Sequence, residues 1–318
     1  MKYVIRRRPC EAIPAIHACL YLAASPGLRG KRSSALDGCR WILFADLDGT
    51  VLDSETYEPG PSVQALAKCR DEGIPVIFSS SKTGAEIELY HASYASRTGW
   101  PFIAENGGGV FLPMEHWDRP SGAEQQGRFW KVPLGARRQE VLWALTEASR
   151  RAGAKIRAFS GMTPEEIASR TGLSLEEAKR AGRRDFDEPF WVDEGDAASL
   201  DALREAIESQ GLRLTRGGRC FHVHGASDKG TAVLYVRRRY ESKVGKVCIA
   251  AVGDAANDLP MFLAADRAYL VKRADETHDP DIPPGRNIRF VSGAGPSGFL
   301  QAVEDLLALV RAERRASR

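Results

Sequence analysis

The 318-residue chain predicts an α/β fold: a parallel-sheet core interrupted by an inserted α+β cap. Three observations carry that prediction. Short, wholly apolar runs at Trp41–Ala45, Ile74–Phe78 and Val247–Val252 read as strands buried on both faces. Segments with helical spacing separate them. Two of the runs end in acidic, glycine-bearing loops, Asp46-Leu47-Asp48-Gly49-Thr50 and Gly253-Asp254-Ala255-Ala256-Asn257-Asp258. The carboxyl ends of strands are where open α/β sheets bind ligands.

Taken in order, strand 41–45 leads into the first acidic loop. Pro61 to Glu72 carries Val63, Leu66 and Ala67 at helical spacing and stops at Gly73. The second strand, 74–78, ends in Ser79-Ser80-Ser81-Lys82-Thr83. A helix from about Gly84 to Ser96 follows, then a strand from Trp100 to Ala104. Glu105-Asn106-Gly107-Gly108 turns it into a hairpin with Val110-Phe111-Leu112. After Pro113 the polar, turn-rich stretch to Arg128 reads as a hinge or linker.

Residues 129–224 read as a separate unit, with helices at 136–151, 164–170, 174–181 and 198–210. Its strands are expected at 129–132, 155–159, 189–193, 212–216 and 219–223. Thr163 and Ser174, each followed by first-turn acids, mark helix starts. Arg216-Gly217-Gly218-Arg219 reads as a hairpin turn. The α/β rhythm then returns with a helix from Lys229, strand 247–252, a helix from Leu259, and strands at 269–271 and 288–291. A terminal amphipathic helix spans 296–312. The division is therefore an extension (1–40), a core (41–113 and 225–318), and a linker plus cap (114–224).

The composition, 43% hydrophobic and 27% charged, is that of a globular protein. A net charge of +3 gives no general basis for nucleic-acid binding, and Arg6-Arg7-Arg8 and Arg237-Arg238-Arg239 read as solvated faces. No stretch approaches the roughly 20 apolar residues of a membrane span. Six cysteines show no CxxC pair, and Cys69 and Cys248 sit in apolar patterns as buried thiols. That profile suits a reducing compartment, so a cytoplasmic location is expected. Basic residues 6–8 ahead of the mildly apolar Ala12–Ala24 superficially resemble a secretory signal, but His17 interrupts the piece. A loosely ordered extension, or a start placed upstream of the true one, is the expectation there.

Two carboxylates spaced i, i+2 repel each other unless a cation or shared proton holds them. A carboxylate beside a metal can act as a nucleophile towards phosphorus. If the two loops converge, Asp46, Asp48 and Asp254 make an oxygen-rich site of the kind Mg²⁺ prefers. The structural alternative is an Asp-Gly turn plus a helix start at Asp258. Ser80 is placed to hydrogen-bond a phosphoryl oxygen, or else to satisfy loop backbone. Lys229 can neutralise a transferring phosphoryl group, or be an ordinary helix-start lysine. A cation at a helix N-terminus calls for a compensating carboxylate or phosphate.

In chain order, Asp46-Leu47-Asp48-Gly49-Thr50, Ser80, Lys229 and Gly253-Asp254…Asn257-Asp258 resemble the four motifs of the haloacid dehalogenase superfamily. The resemblance runs from Trp41 to the C-terminus and implies a Rossmann-like core with an inserted cap. Narrower features resemble the mannosyl-3-phosphoglycerate phosphatases. These are Ser80-Ser81-Lys82-Thr83, Glu105-Asn106-Gly107, Met162-Thr163-Pro164-Glu165-Glu166, Arg184-Asp185-Phe186-Asp187-Glu188-Pro189-Phe190 and Thr215-Arg216-Gly217-Gly218-Arg219. The extension and His222-Val223-His224 depart from that pattern.

The resemblance implies a Mg²⁺-dependent phosphomonoester hydrolase. Asp46 attacks phosphorus to form an aspartyl phosphate, while Asp48 protonates the leaving oxygen and later activates water. Mg²⁺ is held by the side chains of Asp46 and Asp254 and the carbonyl of Asp48. Ser80 and Lys229 clamp the phosphoryl group, and Asn257 and Asp258 orient the loop. The implied partner is a small phosphorylated sugar or glycosyl-glycerate, with no nucleic acid and no membrane. Mannosyl-3-phosphoglycerate, yielding mannosylglycerate, leads. Glucosyl-3-phosphoglycerate, sucrose phosphate, hexose phosphates, a phosphomutase reaction and a non-catalytic binding role remain alternatives. Substrate-binding candidates are Lys82, Thr83, Asn106, Arg184, Glu188, Arg216, Gly217, Gly218 and Arg219. Arginines recognise carboxylates in bidentate fashion, and Glu188 could accept sugar hydroxyls, with His222 against the pocket.

Overall fold

The structure, a computed structural model, describes residues 39–95, 98–192, 197–216 and 220–316. The first half runs β1 (Arg40–Ala45), α1 (Ser62–Asp71), β2 (Val76–Phe78), α2 (Gly84–Tyr94), β3 (Phe102–Ala104), β4 (Gly109–Pro113), β5 (Glu124–Gln126), β6 (Phe129–Pro133), α3 (Arg138–Ala152) and β7 (Ile156–Ala158). It continues with α4 (Pro164–Thr171), α5 (Leu175–Ala181), β8 (Asp187–Val192), α6 (Ala197–Glu208), β9 (Arg213–Arg216) and β10 (Phe221–His224). The chain closes with α7 (Lys229–Val244), β11 (Val247–Gly253), α8 (Leu259–Leu263), β12 (Arg267–Lys272), β13 (Ile288–Ala294) and α9 (Gly295–Ala316). The expected extension up to residue 38 and the turn residues Gly217, Gly218 and Arg219 lie outside the described residues.

The core sheet is parallel in the order β13-β12-β11-β1-β2. β1 and β11 lie side by side, with Trp41 opposite Cys248 and Ala45 opposite Val252. That register carries the two acidic loops out of the same sheet edge together. Residues 41–45 and 247–253 are all buried, which is why their sequences are continuously apolar rather than alternating. A parallel bridge from Ser79 to Ile103 sets β3 beside the end of β2.

One expectation changes at the cap boundary. Residues 114–133, expected as linker and the first cap strand, belong to the core side. β6 pairs with β4 and with β5 in an antiparallel sheet ordered β3-β4-β6-β5. Trp117, Ala123 and Val132 are buried in the same apolar cluster as Ile42, Phe44 and Ile249. The indole N–H of Trp117 donates to the Gly99 carbonyl at 2.8 Å. The polar turn residues conceal these anchors in the sequence. The chain leaves for the cap at Leu134 and Gly135, whose N–H groups both donate to the Gly108 carbonyl.

The cap is an antiparallel sheet, β7-β8-β10-β9. Val141 and Leu145 of α3 and Leu203 and Ile207 of α6 pack against Phe190, Leu214 and Val223 on one sheet face. Thr163 with Glu166, and Ser174 with Glu177, form the capping boxes that start α4 and α5. A second small cluster, Phe159, Ile167, Ala178 and Ala181, holds these two helices. The hydroxyl of Thr83 donates to the Arg180 carbonyl at 3.0 Å, joining α5 of the cap to the core.

Cys248 is not the plain buried thiol expected: it forms a disulfide with Cys39, 209 residues away. Adjacent parallel strands bring the two Cα atoms to 5.8 Å, a pairing that sequence spacing does not disclose. Closing so long a loop constrains the unfolded chain, so Cys248→Ser is expected to cost roughly 2–5 kcal/mol. Thermal melts with and without reductant check this: the wild type should lose several degrees on reduction and the variant none. Among the described residues, no helix is long and apolar enough to cross a membrane.

Candidate active site

Asp46 leaves β1 with its N–H donating to the Val252 carbonyl at 3.0 Å, so backbone pairing fixes the spacing of the two acidic loops. Its carboxylate is buried, with Oδ1 2.6 Å from the ammonium of Lys229. Lys229 opens α7 and is itself fully buried. Its second carboxylate partner is Asp258 Oδ1, at 2.7 Å. Asp258 Oδ2 accepts the N–H groups of Asp254 (3.0 Å) and Ala255 (3.2 Å), so one side chain shapes the second loop and anchors the lysine. The carboxylate that a helix-start cation calls for is thus supplied twice.

Gly49 explains how closely the loops approach. Its φ is +78°, and a Cβ there would lie 2.6 Å from Asp254 Oδ2. Any other residue would strain the backbone and force the Asp254 carboxylate to shift. Thr50 Oγ1 donates to Asp254 Oδ1 at 3.3 Å across the same junction.

Asp46, Asp254 and Asp258 each offer a carboxylate oxygen within 4.8 Å of the others. One ammonium therefore faces three clustered carboxylates. Burial, only partly countered by Lys229, raises the Asp46 carboxyl well above its usual range. Burial and the neighbouring Asp258 push Asp254 up to about 7. Burial opposes the Lys229 charge, yet Asp258 and Asp46 hold its pKa above the ordinary lysine value. Asp48 Oδ1 is buried with no hydrogen-bond partner among the described residues. An all-oxygen donor set short of positive charge fits a hard divalent cation. Asp258 joins Asp46 and Asp254 in this triad, and Asp48, whose carbonyl rather than side chain is the ligand that the resemblance implies, is not part of it. Because Asp258 is engaged with Lys229 and two backbone N–H groups, Asp46 and Asp254 are the pair with capacity for a metal.

A cavity of about 360 Å³ opens onto Asp46 and Asp254, lined also by Asp48 and Lys82 and, from the cap, by Arg184 and His222. Lys82 Nζ lies 3.1 Å from Asp48 Oδ2. Asn257 also faces the cavity, and its amide donates to Asn106 Oδ1 at 3.2 Å. Ser80 is buried at the end of β2, its Oγ accepting the Lys82 N–H at 3.2 Å. Thr83 serves the helix instead, capping α2 by exchanging hydrogen bonds with Glu86.

Glu188 and Arg216 do not line the cavity, and strand periodicity gives the reason. Asp187 and Pro189 share one face of β8, and Pro189 stands opposite the cavity-lining His222. Glu188 is opposite Val223, on the face packed against helices, where Arg138 donates to it at 3.0 and 2.8 Å and the Ser160 N–H at 2.6 Å. Arg216 pairs with Phe221 on that same face and lies over its ring.

Two buried acids have functions that the sequence does not announce. Glu105 accepts the N–H groups of Asp185, Phe186 and Asp187, tying the cap to the core loop after β3. Burial and the facing Asp187 push its carboxyl up to about 8. Asp187 holds Arg184 and His222, and although burial disfavours its charge, Arg184 and His222 keep its carboxyl below the usual range. The sequence marks both only as parts of the family-like stretches at 105–107 and 184–190, and Asp187 also as one of two acids opening an otherwise apolar strand.

The sequence pattern of haloacid dehalogenase-like hydrolases matches residues 43–118 and 194–279, on either side of most of the cap. The chain is 35% identical over 267 residues to a glucosyl-3-phosphoglycerate/mannosyl-3-phosphoglycerate phosphatase of Methanococcoides burtonii, covering 84% of this chain and 97% of that one. It is 33% identical over 230 residues to a mannosyl-3-phosphoglycerate phosphatase of Pyrococcus horikoshii, covering 72% and 90%. In three dimensions it resembles a haloacid dehalogenase-like hydrolase from Bacteroides thetaiotaomicron, with a TM-score of 0.59 at 16% identity over 84% of this chain and 99% of that one. A subclass IIB sugar phosphatase gives 0.56 at 16% identity, covering 83% and 98%. The likeness to these two structures concerns the fold.

Proposed function

The chain belongs to the haloacid dehalogenase-like hydrolases, and from that premise we propose that it hydrolyses the phosphate ester of glycosyl-3-phosphoglycerates, with mannosyl-3-phosphoglycerate as leading substrate. The observation that carries the reading is the buried Asp46 carboxylate, 2.6 Å from Lys229 and open to a cavity that also holds Asp48. The names of the relatives support the substrate class, and the doubly named relative supports the glucosyl ester as a second substrate.

In the proposed reaction Lys229 holds Asp46 Oδ1, leaving Oδ2 to attack phosphorus. The bond between phosphorus and the glycerate oxygen breaks as that oxygen takes a proton from Asp48, and an aspartyl phosphate remains. Asp48 then removes a proton from water, the water oxygen bonds to phosphorus, and the bond to Asp46 breaks to release phosphate. Lys82 holds Asp48 Oδ2, and Oδ1 is unengaged by other described groups. Lys229 also offsets charge on the transferring group. Mg²⁺ bound by Asp46 and Asp254 would supply the positive charge that keeps Asp46 ionised.

The test is phosphate release from mannosyl-3-phosphoglycerate, glucosyl-3-phosphoglycerate, sucrose 6-phosphate and mannose 6-phosphate, in Mg²⁺ or EDTA. Preference for the two glycerate esters, abolished by EDTA and restored by Mg²⁺, is expected. Comparable rates on all four would reduce the reading to a general sugar phosphatase.

A further inference from the structure

Two cations of the cap are oriented by one buried carboxylate. Asp187, at the start of β8, pairs through Oδ1 with Arg184 Nη1 and through Oδ2, at 2.9 Å, with His222 Nδ1. Arg184 and His222 both line the cavity that Asp46 and Asp48 line. Arg184 Nη1 also donates to the Ser81 carbonyl at 3.3 Å, while its Nε is buried with no partner among the described residues. His222 Nε2 meets the Cys220 thiol at 3.5 Å, a weak partner. Lys82, the third cation there, is engaged with Asp48 at 3.1 Å and Glu86 at 4.0 Å. Glu105 is close to Arg184, but both its oxygens accept backbone N–H groups.

We propose that His222 and Arg184, positioned by Asp187, form a subsite for a carboxylate on the leaving-group side of the substrate. Two N–H donors borne by cations suit a planar carboxylate's two oxygens. Asp187 offsets one of these two cations, and Glu105 and Glu86 are the other acids that act on Arg184. Burial opposes charge on His222, but its hydrogen bond to Asp187 pushes its pKa up to about 9, so the ring is an imidazolium at neutral pH. Arg184 faces the same group and works against that charge, while burial, and with it His222, keeps the neighbouring His224 below the ordinary histidine value. The subsite deepens the phosphatase reading and rests on it, because the anion it takes belongs to the group that Asp46 displaces.

The full chain is assayed as wild type, His222→Asn, His222→Gln and Asp187→Asn, each shown folded by thermal melting. The readout is the ratio of kcat/KM for mannosyl-3-phosphoglycerate over mannose 6-phosphate, which lacks the carboxylate. D-Glycerate is titrated calorimetrically into each protein as a second readout. The ratio should fall about tenfold or more in every variant, mainly through KM, as loss of a hydrogen bond to a charged group predicts. D-Glycerate binding should weaken in parallel. A ratio kept within twofold in the variants, or an equal loss on both esters, overturns the subsite and leaves the phosphatase reading standing. A wild type inactive on both esters sinks the phosphatase reading, and D-glycerate binding lost in His222→Asn would still support the subsite. A wild type that binds D-glycerate no better than glycerol overturns the subsite directly.

Discussion

Asp46→Asn is expected to lower turnover by about ten-thousandfold or more while leaving the metal-free fold at least as stable as the wild type. The first part follows from chemistry: an amide oxygen is a poor nucleophile, and loss of a covalent catalyst costs on that scale. The second follows from the surroundings. Asp46, Asp254 and Asp258 crowd one ammonium, and burial with that repulsion raises the folded-state pKa of Asp46. An acid whose pKa is raised on folding contributes stability below its unfolded pKa and loses it as pH rises through the folded value. At neutral pH the ionised carboxylate therefore works against the metal-free fold. Asparagine cannot ionise, and its amide oxygen still accepts from Lys229. Melting in EDTA at pH 7 should show an equal or higher midpoint for the variant. Adding Mg²⁺ should stabilise the wild type more than the variant, because only the wild type keeps the full donor set. Turnover that survived the substitution would remove Asp46 from the mechanism.

The elements legible in the sequence are those decided locally. Trp41–Ala45 is apolar at every position because both faces of β1 are covered, and the acids follow at once where the strand ends. Thr163-Pro164-Glu165-Glu166 announces its helix because capping is an interaction within four residues. What the sequence concealed was decided by partners far away. Trp117 lies among polar turn residues, and only pairing of β6 with β4 brings this stretch to the core. Cys39 and Cys248 meet because β1 and β11 are neighbours. In the cap, the choice between Glu188 and its neighbour Asp187 turns on which face of β8 meets the cavity. Alternation says that they differ, but the register with β10 decides which is which. The motif acids and Lys229 were readable as a set. The Glu105 contact to the cap backbone, 80 residues away, was not.

Lys229→Met is expected to destabilise the protein by about 3–5 kcal/mol at neutral pH, as removing one partner of a buried ion pair does. The side chain has no solvent exposure, and both its carboxylate partners are buried with it. Methionine fills similar volume, so the cost comes from leaving Asp46 and Asp258 without a counter-charge rather than from a void. That origin has a signature. Without the ammonium, which lowers the Asp46 pKa against burial, the Asp46 carboxyl protonates more readily in the folded state and its folded pKa rises further. The variant should then recover stability as pH falls from 8 towards 5, where the wild type, with its lysine in place, changes less. Urea unfolding at the two pH values measures the difference. The double variant Lys229→Met with Asp258→Asn should regain part of the lost stability, the coupling expected of direct contacts. It should regain no turnover, because nothing then offsets charge on the transferring phosphoryl group. A single variant as stable as the wild type at pH 8 would mean that the pairing contributes little to the fold. Recovery of stability without recovery of activity would separate the two roles of Lys229, holding two acidic loops together and stabilising the reaction that they carry out.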